Sequence, residues 1–206
     1  MVLVLILSST PASAQFVSLV GGPPPVQDFN TLAASGSSST LPNGWYLAET
    51  DDNANSEYRA GDGSSNTGDT YSFGAGTDSE RAFGTLQSSS LVSRIGAQLR
   101  NDSGLAVTEI TVNYTGEQWR LGATGRADTL KFEYSANATG LNDPAANWTP
   151  ALALDFDSPT TTGATGALDG NASANRTAIS AAINGLNVAP NATLWVRWSD
   201  VGVAGS

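Results

Sequence analysis

Three short stretches concentrate side chains able to bind or react. The first, Gly116-Glu117-Gln118-Trp119-Arg120, is followed by a glycine-bounded turn at 122–125 and then by Arg126 and Asp128. Glycoside hydrolysis needs two carboxylates about 5–10 Å apart, and Glu117 and Asp128 are the nearest pair, with no third anchor beside them. A strand carrying Glu, Trp and Arg together sets an ion pair and an aromatic on one surface. Two readings of it stand side by side: a Glu117–arginine pair stapling neighbouring strands, or a ligand-contacting face. The second run, Thr193–Ser199, alternates Leu194, Val196 and Trp198 with Trp195, Arg197 and Ser199. Trp119, Trp195 and Arg197 together are expected to offer an aromatic platform flanked by charge, on which a sugar ring can stack. Glu117, Trp119, Arg120, Trp195 and Arg197 are therefore the candidate ligand-binding residues.

A third stretch, Glu49 to Glu57, is dense in oxygen donors. Calcium takes six to eight hard oxygens, and Asp51, Asp52 and Asn53 could join Asp28 and Asp200 around one ion. The stretch lacks the glycine and closing glutamate of an EF-hand loop, so a solvated acidic loop is the competing reading.

Composition closes several doors. The 206 residues include no His and no Cys, which removes Ser-His-Asp and Cys-His catalysis, disulfides and thiolate metal sites. No catalytic residue is assigned. Nine basic against nineteen acidic residues give a net charge of −10. A phosphate backbone demands clustered Lys and Arg, so no direct nucleic-acid partner is expected. Charged residues make up 14% of the chain, well under the usual ~25%. The polar surface must therefore come from Ser, Thr, Asn and Gly, which favour strands and turns over helices. Five Trp, five Tyr and six Phe supply the core anchors that a disordered chain lacks. Seven Asn-x-Ser/Thr sequons, among them Asn113 inside a strand pattern, are expected by chance in so Asn-, Ser- and Thr-rich a chain.

The chain around these residues reads as short strands between turns, the mark of an antiparallel β-sandwich. Expected strands are 26–30, 44–50, 70–73, 81–86, 93–101, 106–116, 118–121, 128–135, 152–155, 176–183 and 193–199. The clearest alternation is in Thr129–Ser135, where Leu130, Phe132 and Tyr134 oppose Thr129, Lys131 and Glu133. Ile110, Val112 and Tyr114 alternate in the same way with Thr111 and Asn113. One short helix around Ala178–Ile183 is an alternative to strand.

Met1–Leu7 is apolar and Ala12-Ser13-Ala14 fits a small-x-small cleavage site, so residues 1–14 are expected to be an export signal. The signal departs from the pattern in having no Lys or Arg before its apolar core. Seven residues cannot span a bilayer, which needs about 20, and no other segment is a candidate span. Residues 15–25, ending in Gly-Gly-Pro-Pro-Pro, form a stiff linker, and 26–206 is the sandwich domain. Its last strand pattern ends just before Ser206. A sandwich closes best on a strand that pairs its open edge, so a C-terminally truncated domain is expected.

Several motifs in order carry a resemblance: Asp28-Phe29-Asn30, Leu41-Pro42-Asn43-Gly44-Trp45, Tyr71-Ser72-Phe73-Gly74, Glu80-Arg81-Ala82, Tyr114 to Arg120, Leu168-Asp169-Gly170-Asn171 and Trp195 to Asp200. From Val26 onward the chain resembles bacterial exported jelly-roll domains, found in proteins with the PEP-CTERM sorting signal and ahead of extracellular endonuclease/exonuclease/phosphatase domains. The Leu-Pro-x-Gly-Trp opening is similar to that of cleaved-adhesin and carbohydrate-binding modules. The resemblance implies an extracellular or cell-surface module of bacterial type without catalysis of its own, for polysaccharide or matrix binding. Alternatively, it implies an accessory domain ahead of a nuclease or phosphoesterase. It also implies a structural calcium held in part by a terminal Asp-Asp strand, and that strand is not in this sequence.

Overall fold

The computed structural model describes residues 16–22, 25–76 and 78–200. The expected signal at 1–14 lies outside them, as do residues 15, 23 and 24 of the expected linker. Among the described residues there are fifteen strands and no α-helix, and no helix is long and apolar enough to cross a membrane. In chain order the first five are β1 (Val17–Leu19), β2 (Ser37–Ser38), β3 (Trp45–Thr50), β4 (Tyr58–Gly61) and β5 (Asp69–Phe73). Next come β6 (Ala82–Leu86), β7 (Val92–Asn101), β8 (Val107–Glu117), β9 (Arg120–Leu121) and β10 (Thr129–Ser135). The last are β11 (Thr149–Pro150), β12 (Phe156–Asp157), β13 (Gly166–Ala167), β14 (Arg176–Val188) and β15 (Thr193–Asp200).

The largest sheet runs β1-β7-β15-β10-β11, with β3 also on β7 and β12 also on β10. Its alternation follows from the sequence. Cross-strand partners share a face, and the register sets Trp198 opposite both Ile95 and Phe132, and Val196 opposite Ala97. Those residues, with Leu194, belong to the main core. Trp198 gathers the rings of Trp45, Tyr114 and Phe132 around it, with centroids 6.1, 5.3 and 5.0 Å away. The other face carries Trp195, Arg197 and Glu133, with Arg197 paired to Glu133 across the register.

Over the core face lie two separate pieces. One is the ribbon β8-β14, the other the sheet β2-β4-β5-β6. In the ribbon, Ile110 pairs with Ile183, Val112 with Ala181 and Tyr114 with Ile179, and all six pack on the core. Their neighbours Thr111, Asn113, Thr115, Ala178, Ser180 and Ala182 are exposed. This period of two is why 178–183 is strand and not the alternative helix. In the second piece β5 is buried along its whole length.

Two expected strands are not formed. Residues 26–30 are irregular, because Phe29 takes a left-handed φ of 59° and its carbonyl closes a turn with the amide of Leu32. Leu152–Leu154 is a 3-10 turn, and the pairing in that region begins at Phe156. Strand β4 is the main element without a sequence signal. Its Tyr58 is fully buried and its hydroxyl donates to the Thr40 carbonyl, while Arg59 is half-exposed beside Asp69.

Candidate functional site

The Gly-Glu-Gln-Trp-Arg run ends β8 and begins β9. Trp119 is 4% exposed and stacks parallel to Phe73 at 6.2 Å, which in turn stacks on Tyr71 at 4.9 Å. The fit around it is tight. A Cβ on Gly170 would sit 2.3 Å from the indole, and one on Gly63 would sit 1.7 Å from the Trp119 carbonyl oxygen. Only glycine allows so close a backbone approach.

Each neighbour in the run is also tied down. The Trp119 Nε1–H donates to Glu117 at 3.0 Å, and Arg176, opposite Glu117 in the β8-β14 register, pairs with it at 2.8 Å. Gln118 both accepts from the Thr160 amide and donates to the Thr160 carbonyl. Arg120 donates to the carbonyls of Gly63 and Ser64. The run thus pins three distant loops to the end of the ribbon. Burial holds the Glu117 carboxyl above its usual range, against the opposing pull of Trp119 and Arg176.

Trp195 and Arg197 lie on the opposite face of the large sheet. Trp195 is 4% exposed beneath Ala138 and Leu141, with Tyr46 at 4.9 Å. Arg197 bonds Glu133 and the Leu141 carbonyl, and its guanidinium sits 3.7 Å over the half-exposed ring of Trp148. The segment 136–148 folds back over this face and covers it. The five candidate ligand residues are therefore split between two sides of the molecule, and Trp119 and Trp195 are both buried. They do not form a shared platform, because each indole is enclosed by segments far away in the chain.

The expected calcium ligands do not converge either. Asp28, Asp51, Asp52 and Asn53 are exposed, while Asp200 is buried at the end of β15 and accepts from the Thr85 hydroxyl at 3.1 Å. Among the described residues no three acidic side chains come together as a cation site, so the residues present do not fit the implied ion. The acidic loop is instead held from its start. Glu49 accepts from the amide and hydroxyl of Thr70 and from the Asn55 amide.

Beside Glu49, Asp69 is 5% exposed, with Arg59 at 3.4 Å. Burial first, and the Glu49 charge second, hold its carboxyl above the ordinary value. Between the ordinary and the raised value, the folded chain binds more protons than the unfolded one. Stability contributed by this group therefore falls as pH rises through that window. Asp69→Asn is expected to flatten that fall, so its urea midpoint relative to the parent should improve between pH 4 and pH 7.

A large concavity lies between the large sheet, the ribbon and β6. Its volume is about 1350 Å³, and Phe83, Ile95, Val112, Leu130, Val196 and Trp198 line its apolar wall. Tyr114 also borders it. The Tyr114 hydroxyl donates to the Leu154 carbonyl at 2.6 Å, and burial pushes it up to about 12, so it stays protonated. Glu80, Arg81, Glu117, Arg176 and Asp200 border the same cleft. Most of these polar groups have structural partners, Glu80 with the Asn171 amide and Arg81 with Ser72 among them. Apolar walls with a few polar groups are the usual composition of a binding cleft. Sequence reasoning missed it because it is assembled from β6, β8, β10 and β15, which no local motif connects.

A scan against protein-family models finds no match for the chain, and neither does a search of curated proteins or one of solved structures.

Proposed function

We propose that this chain is a non-catalytic, adhesive binding module of the exported bacterial kind, and that the β6–β8 cleft is its binding site. The observation that carries the reading is the cleft itself: a large, mainly apolar concavity most of whose acidic groups hold structural partners. Glu117, a carboxylate that burial holds above its usual range, is occupied by Trp119 and Arg176. A general acid must instead reach the proton it transfers.

The layering supports a jelly-roll-like sandwich in which, among the described residues, no strand pairs the facing sides of β6 and β8. The β-rich architecture, the acidic surface and the unused cleft suit a matrix or cell-surface role. Polysaccharide remains a ligand class to test. The burial of Trp119 and Trp195 moves any such site away from those two rings.

Retention on cellulose, chitin and gelatin surfaces tests the reading. The parent chain is expected to be retained on at least one of them, and Val112→Asp, which places a charge on the cleft wall, should lose roughly tenfold or more of that retention. No retention on any surface, or retention that Val112→Asp leaves untouched, contradicts it.

A further inference from the structure

Two strands with a free edge border the cleft. Among the described residues β6 pairs only with β5, and β8 only with β14. Side chains of a strand alternate between its two faces, so a cavity that touches one face meets every second residue. This cavity instead meets successive residues, Ala82 through Leu86 on β6 and Glu109 through Glu117 on β8. The edges, with their unpaired backbone donors and acceptors, are therefore what border it.

We propose that the cleft takes a single extended peptide strand that pairs with β6 on one side and β8 on the other. It would join the four-stranded sheet and the ribbon into one layer over the core. The inference rests on the cleft being the binding site and names what fills it. Backbone pairing supplies the affinity in such strand addition, and alternate side chains supply the choice of partner. Here one face of the incoming strand meets Phe83, Ile95, Val112 and Trp198, so apolar residues belong at every second position. β6 sets the length, since five residues at about 3.4 Å each cover about 17 Å. Charge sets the ends. Asp28, Glu80, Glu109, Glu117, Asp128 and Asp200 border the cleft against three arginines, six negative groups to three positive. A strand with basic ends therefore fits better than an acidic one.

The test uses the acetylated, amidated heptapeptide Lys-Val-Thr-Val-Thr-Val-Lys, with the same peptide N-methylated at its three valines as control. Calorimetry is expected to give one site of about micromolar affinity. Hydrogen exchange should slow at the amides of 82–86 and 109–117, and N-methylation should weaken binding at least about tenfold. Equal binding of both peptides overturns strand pairing while leaving an apolar binding cleft in place. So does failure of both peptides when the neutral dye N-phenyl-1-naphthylamine still enters. Exclusion of the dye as well overturns the cleft reading itself. Binding only after residues 201–206 are removed shows that the chain's own end holds the position, and a dimer that the peptide cannot dissociate shows that a second copy does. Either result overturns a separate strand.

Discussion

Trp119→Ala is expected to lower the free energy of unfolding by about 3–5 kcal/mol, the usual loss for a buried large aromatic. The indole is 4% exposed, stacked on Phe73 and enclosed by Gly63 and Gly170. Truncation leaves a hole lined by backbone that cannot collapse into it. It also removes one of the two groups that satisfy the buried Glu117 carboxylate. Trp119→Phe keeps most of the ring volume and should cost clearly less. An exposed ligand-stacking tryptophan would behave otherwise, since surface substitutions usually stay within about 0.5 kcal/mol. Urea unfolding of the two variants beside the parent separates these roles.

Arg81→Met is expected to cost about 3 kcal/mol or more. Arg81 is 2% exposed, and its guanidinium donates to the hydroxyl and carbonyl of Ser72 and to the carbonyls of Gly61 and Gly76. Its own amide donates to the Asn30 side chain. Methionine fills similar space but donates nothing, and each buried acceptor left without a donor costs about 1–3 kcal/mol. Relief from burying the charge offsets part of that sum. Arg81→Lys should recover little, because one ammonium cannot reach acceptors spread around a planar fork. Urea midpoints of both variants check this, and full stability of Arg81→Lys would contradict the fork.

The strands that could be read from sequence were those with one apolar face. Thr129–Ser135, Ile110–Tyr114 and Thr193–Ser199 each alternate, and each contributes its apolar set to the core. Where the alternation was weak, tertiary contacts decided. Phe29 turns away from strand geometry because its ring packs edge-on to Trp45 at 4.7 Å. Tyr58–Gly61 becomes strand through parallel pairing with β5, a partner that no local pattern announces.

The site was less legible than the fold, for the same reason. The Gly-Glu-Gln-Trp-Arg run stood out by its residue types, but whether its tryptophan faces solvent depends on Gly63, Phe73 and Gly170. Trp195 sits on the outward side of its strand, as its register required. Its burial comes from Ala138 and Leu141, in a loop more than fifty residues earlier. The cleft depends on which edges are left without partners, and that is a property of the whole topology.

Titrating the chain with N-phenyl-1-naphthylamine and following its fluorescence probes the apolar cleft between β6 and β8. The parent should bind the dye saturably at one site. Val112→Trp, which fills the cleft without adding charge, should abolish that binding while the variant still unfolds cooperatively in urea. A parent that gives no saturable signal, or a Val112→Trp variant that binds the dye as the parent does, would contradict a binding cleft there.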